Sequence, residues 1–493
     1  MPGEAPSEPP VQASFYGVIW CEDDEHKMNI RDATRQIETK MEGAGLSAAA
    51  IRAFLYQYRK LGQNEAGAIP EHSIAPVESL PSIDERPLPR DVSDLVARTV
   101  VLKLNGGLGT GMGLEKAKSL LRVRAELTFL DVIVRQFLHL RETVAPKLGL
   151  LFMNSFSTSY DTAVALSNYP QLGDLKQLEL MQNKVPKIDV KSLAPIDWPP
   201  NPSLEWCPPG HGDIYPSLLG SELLDRLLNE GKNFVFVSNS DNLGATLDLR
   251  LLDLFARSNA PFLMEVTART AADRKGGHLA RRNSDQRFLL RESAQCREED
   301  LVTFQNIERY RYFNTNNLWI RLDALRAELD RGDGLLPLPL IRNEKTVDPR
   351  DKSTPKVLQL ETAMGAAIEC FEDAGAIEVP RSRFSPVKTT SDLLGIRSDA
   401  YELDQEFRLV LRRERNGVPP IVKLDDNYKL VDQFEELVAS SVPSLIRCRS
   451  LTVKGKIQFE AGVEVIGDVK FVSRGDDTKK VPSGVYQDCE TVL

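Results

Sequence analysis

Val100-Val101-Leu102-Lys103-Leu104-Asn105-Gly106-Gly107-Leu108-Gly109-Thr110-Gly111-Met112-Gly113 joins a short apolar run to five glycines within eight residues. An apolar run of this length that ends in glycine reads as a buried strand running into a turn. Residues without Cβ let the backbone come close to a phosphate or a flat base and let several N–H groups converge on it. Two familiar phosphate loops are excluded. The dinucleotide-binding spacing G-x-G-x-x-G fails because Leu114 stands where Gly109 and Gly111 require a glycine, and no G-x-x-x-x-G-K-[ST] occurs in the chain. Lys118, a few residues on, is placed to fold back over bound phosphates, whereas Lys116 reads as a solvated lysine.

Outward from this loop, short apolar runs such as Phe234-Val235-Phe236-Val237 alternate with helical segments to about residue 398. That alternation predicts an α/β core with a parallel sheet. Residues 32–61 read as helical, and 62–90, rich in proline, glycine and acid, read as a connection. Toward the C-terminus Leu451, Ile457, Val463 and Val469 recur every six residues, with Val453, Phe459, Val465 and Phe471 two places behind each. A six-residue aliphatic period predicts a parallel β-helix; an antiparallel meander is the alternative. Three domains result: 1–92, a helical segment and linker; 93–398, the α/β core; 399–493, the β-helix module.

Length and charge agree with this division. A chain of 493 residues is too long for one core. Its 62 Lys+Arg against 71 Asp+Glu give −9, which argues against coating nucleic acid or binding an anionic membrane. The six cysteines include no C-x-x-C pair and read as reduced thiols. The start, MPGEAPSEPPVQAS, lacks the basic and apolar regions of a signal peptide. No apolar run nears the ~18 residues needed to span a bilayer. A cytoplasmic enzyme is expected.

Several residues carry candidate chemistry. Asp241 follows the strand Phe234-Val235-Phe236-Val237, where a carboxylate can hold Mg²⁺ or cap the helix expected from Thr246. Pro208-Pro209-Gly210-His211-Gly212-Asp213 is a rigid, then flexible, loop suited to close approach. Gln182 offers donors and an acceptor suited to the edge of a flat ring, or is an ordinary surface glutamine. Met153 can pack on a flat ring or in the core. Asn314, Asn316 and Asn317 suit sugar hydroxyls, or form a polar turn, and Glu361 can accept from such hydroxyls. Residues 269–297 hold eight Lys/Arg against three Asp/Glu, surrounding Lys275-Gly276-Gly277-His278.

LNGGLGTGMG (104–113) followed by AKS (117–119) resembles the nucleotide-binding loop of the UTP–glucose-1-phosphate uridylyltransferases. So do, in the family's order, NSFSTS (154–159), MQNKVPKI (181–188), WCPPGHGDIY (206–215), SNSDNLGATLD (238–248), KGGHLARR (275–282), FNTNNLWI (313–320), QLETAMGAAI (359–368) and VPRSRFSPVKTTSDLL (379–394). The likeness is greatest to the protozoan and plant-like branch. One departure is Ala117, where many members carry proline.

The resemblance implies a Rossmann-like, GT-A-like nucleotidyltransferase core with a mixed, mainly parallel sheet, and a C-terminal left-handed parallel β-helix. It implies transfer of uridylyl from UTP to glucose 1-phosphate by direct attack at the α-phosphorus, with Mg²⁺ held by Asp241. Lys388, Lys118 and Asp241 are then catalytic. Leu104, Asn105, Gly106, Gly107, Met153, Gln182 and Gly210 fall on the nucleotide side, and His211 on the phosphate side. Asn239, Gly277, Asn314, Asn316 and Glu361 fall at the sugar. The small-molecule partners are UTP and glucose 1-phosphate, with the chain a monomer or a homo-oligomer through its C-terminal module. A broader UDP-sugar or UDP-N-acetylhexosamine pyrophosphorylase, a nicotinamide dehydrogenase and an inactive β-helix scaffold are the rivals. The glycine spacing argues against the dehydrogenase.

Overall fold

The computed structural model describes residues 30–62, 67–83, 91–124, 126–438 and 441–493. The proline-rich start and parts of the expected connection (63–66 and 84–90) lie outside them. Ten strands build the central sheet: β1 (Ile74–Pro76), β2 (Thr99–Leu104), β3 (Gly149–Asn154), β4 (Glu179–Met181), β5 (Phe234–Asn239), β6 (Phe262–Ala268), β7 (His278–Arg282), β8 (Phe288–Arg291), β9 (Tyr312–Arg321) and β10 (Gly375–Glu378). Their order is β1-β7-β9-β5-β2-β3-β4, with β6 pairing β9 and β10, and β8 pairing β7. The run β5-β2-β3-β4 is parallel, and β9 joins it antiparallel.

Alternation along the parallel strands places apolar side chains on both faces. Val100, Leu102, Leu151, Val235 and Val237 enter one core, while Val101, Leu150, Phe152, Phe234 and Phe236 enter the other. Helices cover these faces, as a sheet buried on both sides requires. One of them, Phe129–Thr143, starts at a reciprocal capping box between Thr128 and Asp131. With both faces closed, ligands are left the carboxyl ends of the strands, where the loops after β2, β3 and β5 meet.

Two expectations need correction. Residues 32–61 are two helices, α1 (Ile30–Gly43) and α2 (Ala48–Gly62), because the chain turns at Gly45 with φ 73°. The expected connection is no mere linker. It contributes β1 to the sheet through Ala75 opposite Arg281, and a bridge from Ser82 to Glu378. Proline at the end of β1 is tolerated because β1 is an edge strand. Ala33, Ile37, Met41, Phe54 and Tyr58 pack against Val185, Ile188, Leu358 and Leu360. This seats the helix pair on a small antiparallel sheet formed by Ile341–Thr346, Lys356–Glu361 and Ile188–Asp189.

In the C-terminal module every hexad start, Leu451, Ile457, Val463 and Val469, is at most 2% exposed. β11 (Ile421–Leu424), β12 (Ser444–Lys454) and β13 (Val463–Val472) pair in parallel, which rules out the antiparallel meander. Leu451 lies beside Val469 and Val453 beside Phe471, so a hexad start stacks on the start three repeats later. Gly455 and Gly467 turn the chain at φ 83° and 67°. The apolar interior of this module is continuous with the core around Val101 and Phe236.

Candidate active site

The glycine loop leaves β2 and is held from below. Asn105 is buried, with its amide nitrogen on Asn154 Oδ1 (2.8 Å) and Thr162 Oγ1 (2.9 Å) and its oxygen accepting from Ser240 (3.1 Å). Its side chain is thus taken up in joining the loops after β2, β3 and β5. Gly106 accepts from Ser155 Oγ, and a Cβ there would stand 2.6 Å from Gln182 Oε1. Gly107 lies open and accepts from the Lys118 N–H, so the chain returns beneath the loop. At Ala117 φ is −53° and ψ 129°. Proline adopts that φ too, so the departure from the family's pattern leaves the path unchanged.

Lys118 Nζ reaches Asp241 Oδ2 at 2.7 Å, with 15% and 19% of the two side chains exposed. The other carboxylate oxygen, Oδ1, is buried without a partner. Asp241 does not cap a helix; that role falls to Asp248, which accepts from the N–H groups of Arg250 and Leu251 at the start of Leu249–Ser258. An orphaned carboxylate oxygen at a strand's carboxyl end fits a hard divalent cation that takes its remaining ligands from phosphates. No group of three or more His, Cys, Asp or Glu able to hold a metal ion occurs among the described residues, so a metal here depends on such outside ligands.

Lys388 is exposed and lies on a segment sewn to the Asp241 loop. The Val387 N–H donates to Asp241 O (3.1 Å), the Ser385 N–H to Asn242 Oδ1 (3.0 Å), and Asn242 Nδ2 to Arg383 O (3.0 Å). Arg381 grips Asp273 with both terminal nitrogens, and Arg383 grips both oxygens of Glu265. Thr389 and Asp392 then cap the helix Thr390–Arg397, with Asp392 also accepting from the Lys388 N–H.

On the opposite wall Gln182 Nε2, just past the end of β4, donates to Gly210 O at 3.0 Å and ties that strand end to the His211 loop. Gly210 has φ 81° and ψ 173°, open to glycine alone, and packs against Glu361 and Thr362. His211 Nδ1 accepts the Met364 N–H (2.9 Å), and burial lowers its pKa to about 4. The imidazole is therefore neutral with its proton on Nε2, a donor rather than a cation. Burial raises Asp213 to about 6 despite hydrogen bonds from Ser217 and Asn183. Met153 is 2% exposed, a core residue beside Leu102 and Leu180, and gives its carbonyl to the Asn105 N–H. Leu104 is half-buried at the same core's edge.

The sugar candidates form a third wall. Asn314 and Asn316 bond one another at a β-bulge opposite Glu265 and Val266, where Asn316 takes φ 59°. Asn314 and Asn317 are both buried, and Asn317 is committed to Glu265 (3.0 Å). Glu361 is half-buried, with its pKa raised by burial against a hydrogen bond from Asn343. Asn239 closes β5 in register with Leu104. Gly277 adjoins Glu292, whose carboxylate oxygens would stand 2.5 and 2.9 Å from a Cβ there.

Sequence reasoning missed Glu292. Burial raises its pKa, and Lys388 acts against that rise. One of three acids in a basic stretch, it has no distinguishing motif, and only proximity reveals it. The basic stretch is corrected in turn. Arg269 bonds the carbonyls of Phe304 and Tyr310, Arg282 pairs with Glu369, and buried Arg291 pairs with Glu71 and Asp300. These cations hold loops together and are not free for phosphate.

Comparison with known proteins agrees with this arrangement. Residues 51–465 match the family described as UTP–glucose-1-phosphate uridylyltransferase. A protein of that name from Pyrus pyrifolia is 40% identical over 395 residues, covering 80% of this chain and 82% of its own. One from Solanum tuberosum is 40% identical over 413 residues, covering 83% and 84%. A variant of Leishmania major UDP-glucose pyrophosphorylase, solved in complex with UDP-glucose, superposes with a TM-score of 0.89 at 47% identity, covering 94% of this chain and 99% of that one.

Proposed function

The chain belongs to the UTP–glucose-1-phosphate uridylyltransferase family, and we propose on that premise how its residues divide the work. It is a nucleotidyltransferase that converts UTP and glucose 1-phosphate to UDP-glucose and diphosphate. A phosphate oxygen of glucose 1-phosphate attacks the α-phosphorus in line, the bond to the bridging oxygen breaks, and diphosphate leaves. No covalent enzyme intermediate forms. Catalysis is then positioning together with neutralisation of charge in the transition state.

The observation that carries this reading is the Lys118–Asp241 pair beside the open Gly107, with the second Asp241 oxygen buried and unpartnered. Lys118 offsets charge on the departing diphosphate. Lys388, exposed at the end of its anchored segment, stabilises the reacting phosphates. Asp241 would hold Mg²⁺, which supplies charge neutralisation to phosphate oxygens when bound. Gln182 and Gly210 read the uracil edge, the Nε2–H of neutral His211 donates on the phosphate side, and Asn314, Asn316, Asn239, Gly277 and Glu361 meet glucose. Glu292 joins them, supported by its place against Gly277.

We read 93–398 as the catalytic core and 399–493 as a left-handed parallel β-helix through which copies would associate; sedimentation distinguishes a monomer from an assembly. Among the described residues no helix is long and apolar enough to cross a membrane, and we take the site of action to be the cytoplasm. Chiral labelling at the α-phosphorus tests direct attack: inversion is expected, and retention would require a covalent intermediate. A coupled diphosphate-release assay across several sugar 1-phosphates tests the glucose preference, with glucose 1-phosphate expected to give the highest kcat/KM. Equal rates with N-acetylated sugars would overturn it.

A further inference from the structure

We infer that Glu265 and Arg383, neither of which can touch substrate, are positioning residues that fix the distance between Asp241 and Lys388. This rests on the catalytic roles proposed above. Arg383 is 7% exposed at its side chain and Glu265 is fully buried. Arg383 Nε and Nη2 each donate to a separate carboxylate oxygen at 2.7 Å, a fork that fixes angle as well as distance. Glu265 also accepts from Trp319 Nε1 (2.9 Å) and Asn317 Nδ2 (3.0 Å), so its two oxygens take four donors.

The two elements that carry the catalytic candidates meet at this pair. Arg383 lies five residues before Lys388 in the segment that zips onto Asp241 and Asn242 through Arg383 O, Ser385 N and Val387 N. Its Nη2 also donates to Thr246 O, beyond Asp241 on the other strand of the zip. Lys103 pins the same loop from beneath by donating to Ser238 Oγ (2.8 Å) and Ala245 O (2.7 Å). Glu265 in turn sits at the bulge where β6 faces the Asn314–Asn317 stretch of β9. One carboxylate thus sets the metal candidate, the phosphate-binding lysine and the sugar asparagines in a common frame.

A buried ion pair adds little net stability over apolar residues of the same volume. What such residues cannot supply is a fixed register between two loops, and a reacting geometry displaced by about 1 Å costs up to ~100-fold in rate. Fold and position can therefore be separated. Glu265→Gln leaves a buried guanidinium without its counter-charge and is expected to lower the thermal midpoint. The double variant Glu265→Leu with Arg383→Met removes both charges and is expected to regain part of the midpoint, the remainder lost because Trp319 Nε1 and Asn317 Nδ2 no longer have their acceptor. Its kcat should stay down about tenfold or more, with KM for UTP within about threefold of the parent.

Recovery of kcat together with thermal stability would overturn the inference and leave the pair merely structural. Arg383→Lys keeps the buried charge but loses the fork, and decides the matter if the double variant does not fold. A fall in kcat at constant KM upholds the inference, and parental kcat refutes it. Lys388→Ala, assayed alongside, separates the two levels of argument. If that variant keeps its turnover, the site assignment fails; if it is inactive while the double variant is fully active, only the positioning role fails.

Discussion

Gly210→Ala tests the nucleotide wall most sharply, because its consequences can be worked out atom by atom. At φ 81° and ψ 173° a residue with a Cβ is strained by ~1–3 kcal/mol before any contact is counted. The new Cβ would stand 2.9 Å from Thr362 N and 3.1 Å from Glu361 Cβ, with the Thr362 carbonyl oxygen nearer still. These are backbone atoms and a side-chain root, so the His211 loop has to retreat by about 0.5 Å or more to reach ordinary van der Waals separation. Gly210 O is held by Gln182 Nε2 at 3.0 Å, and that retreat stretches the bond past useful length. The His211 loop loses its tie to the end of β4.

The expected result is a rise in KM for UTP and a fall in kcat/KM of about 10–100-fold, equivalent to ~1.4–2.8 kcal/mol of transition-state binding. Initial rates at varied UTP under saturating glucose 1-phosphate measure it. The control is Gly173→Ala: φ 79° and ψ −138° impose a similar backbone penalty, yet nothing lies within 4 Å of its Cβ. That variant should lose comparable thermal stability and keep its kinetics. The reasoning is refuted if Gly210→Ala is destabilised with kcat/KM for UTP unchanged, because the loop would then have moved without consequence.

Lys388→Ala should keep the thermal midpoint, since the side chain is exposed, while kcat falls by at least ~100-fold. Lys118→Met leaves the mostly buried Asp241 carboxylate without its counter-charge, with an expected loss of ~10²–10³-fold in kcat and of at least about 1 kcal/mol in stability, read by thermal denaturation. Burial lifts Glu369 from the usual 4.5 to about 7 against the pull of Arg282. The folded chain therefore binds that proton more tightly than the unfolded chain, and the stability gained in acid is lost as pH rises from about 4.5 to 7. Glu369→Gln should remove this dependence, so that its unfolding free energy relative to the parent is higher at pH 8 than at pH 4.5, by up to about 3 kcal/mol, read by denaturant titration. A constant difference across that range would contradict the assignment.

The parts of the fold legible in the sequence were those with a short period. Val100-Val101-Leu102 announced a parallel strand because every one of its residues is buried on one face or the other, and the hexads starting at Leu451 because each buries its first and third residues. β1 was invisible, since Ile74-Ala75-Pro76 is three residues long and becomes a strand only by pairing with β7. At the site, the glycine loop, Lys118 and Asp241 could be found from spacing and strand ends. Which polar side chains face substrate and which hold the scaffold could not. Asn105, Asn317 and Arg383 look as functional as Gln182 in sequence, yet their donors are consumed by protein acceptors. Glu292 reads as surface charge and lies against Gly277.

The same distinction governs the charge of the pocket. The arginines at 269, 282 and 291 are committed to carbonyls or carboxylates, and Arg381 and Arg383 are paired with Asp273 and Glu265. Lys118 is cancelled by Asp241, leaving Lys388 to face a carboxylate at Glu292. With only Lys388 and the exposed Lys275 beside Gly277 uncommitted among these cations, the site holds a triphosphate weakly by itself, in a chain that is already at −9. A divalent cation entering with UTP would supply the missing charge, and phosphate drawn toward Lys118 would free both oxygens of Asp241 for it. Calorimetric titration of UTP into the protein should therefore give a Kd at least about tenfold weaker in EDTA than in Mg²⁺. Lys118→Met should narrow that ratio little, because Asp241 remains. Equal affinity with and without the cation would mean that the pocket holds uncommitted positive charge of its own, and that the pairing of these arginines is loosened when nucleotide binds.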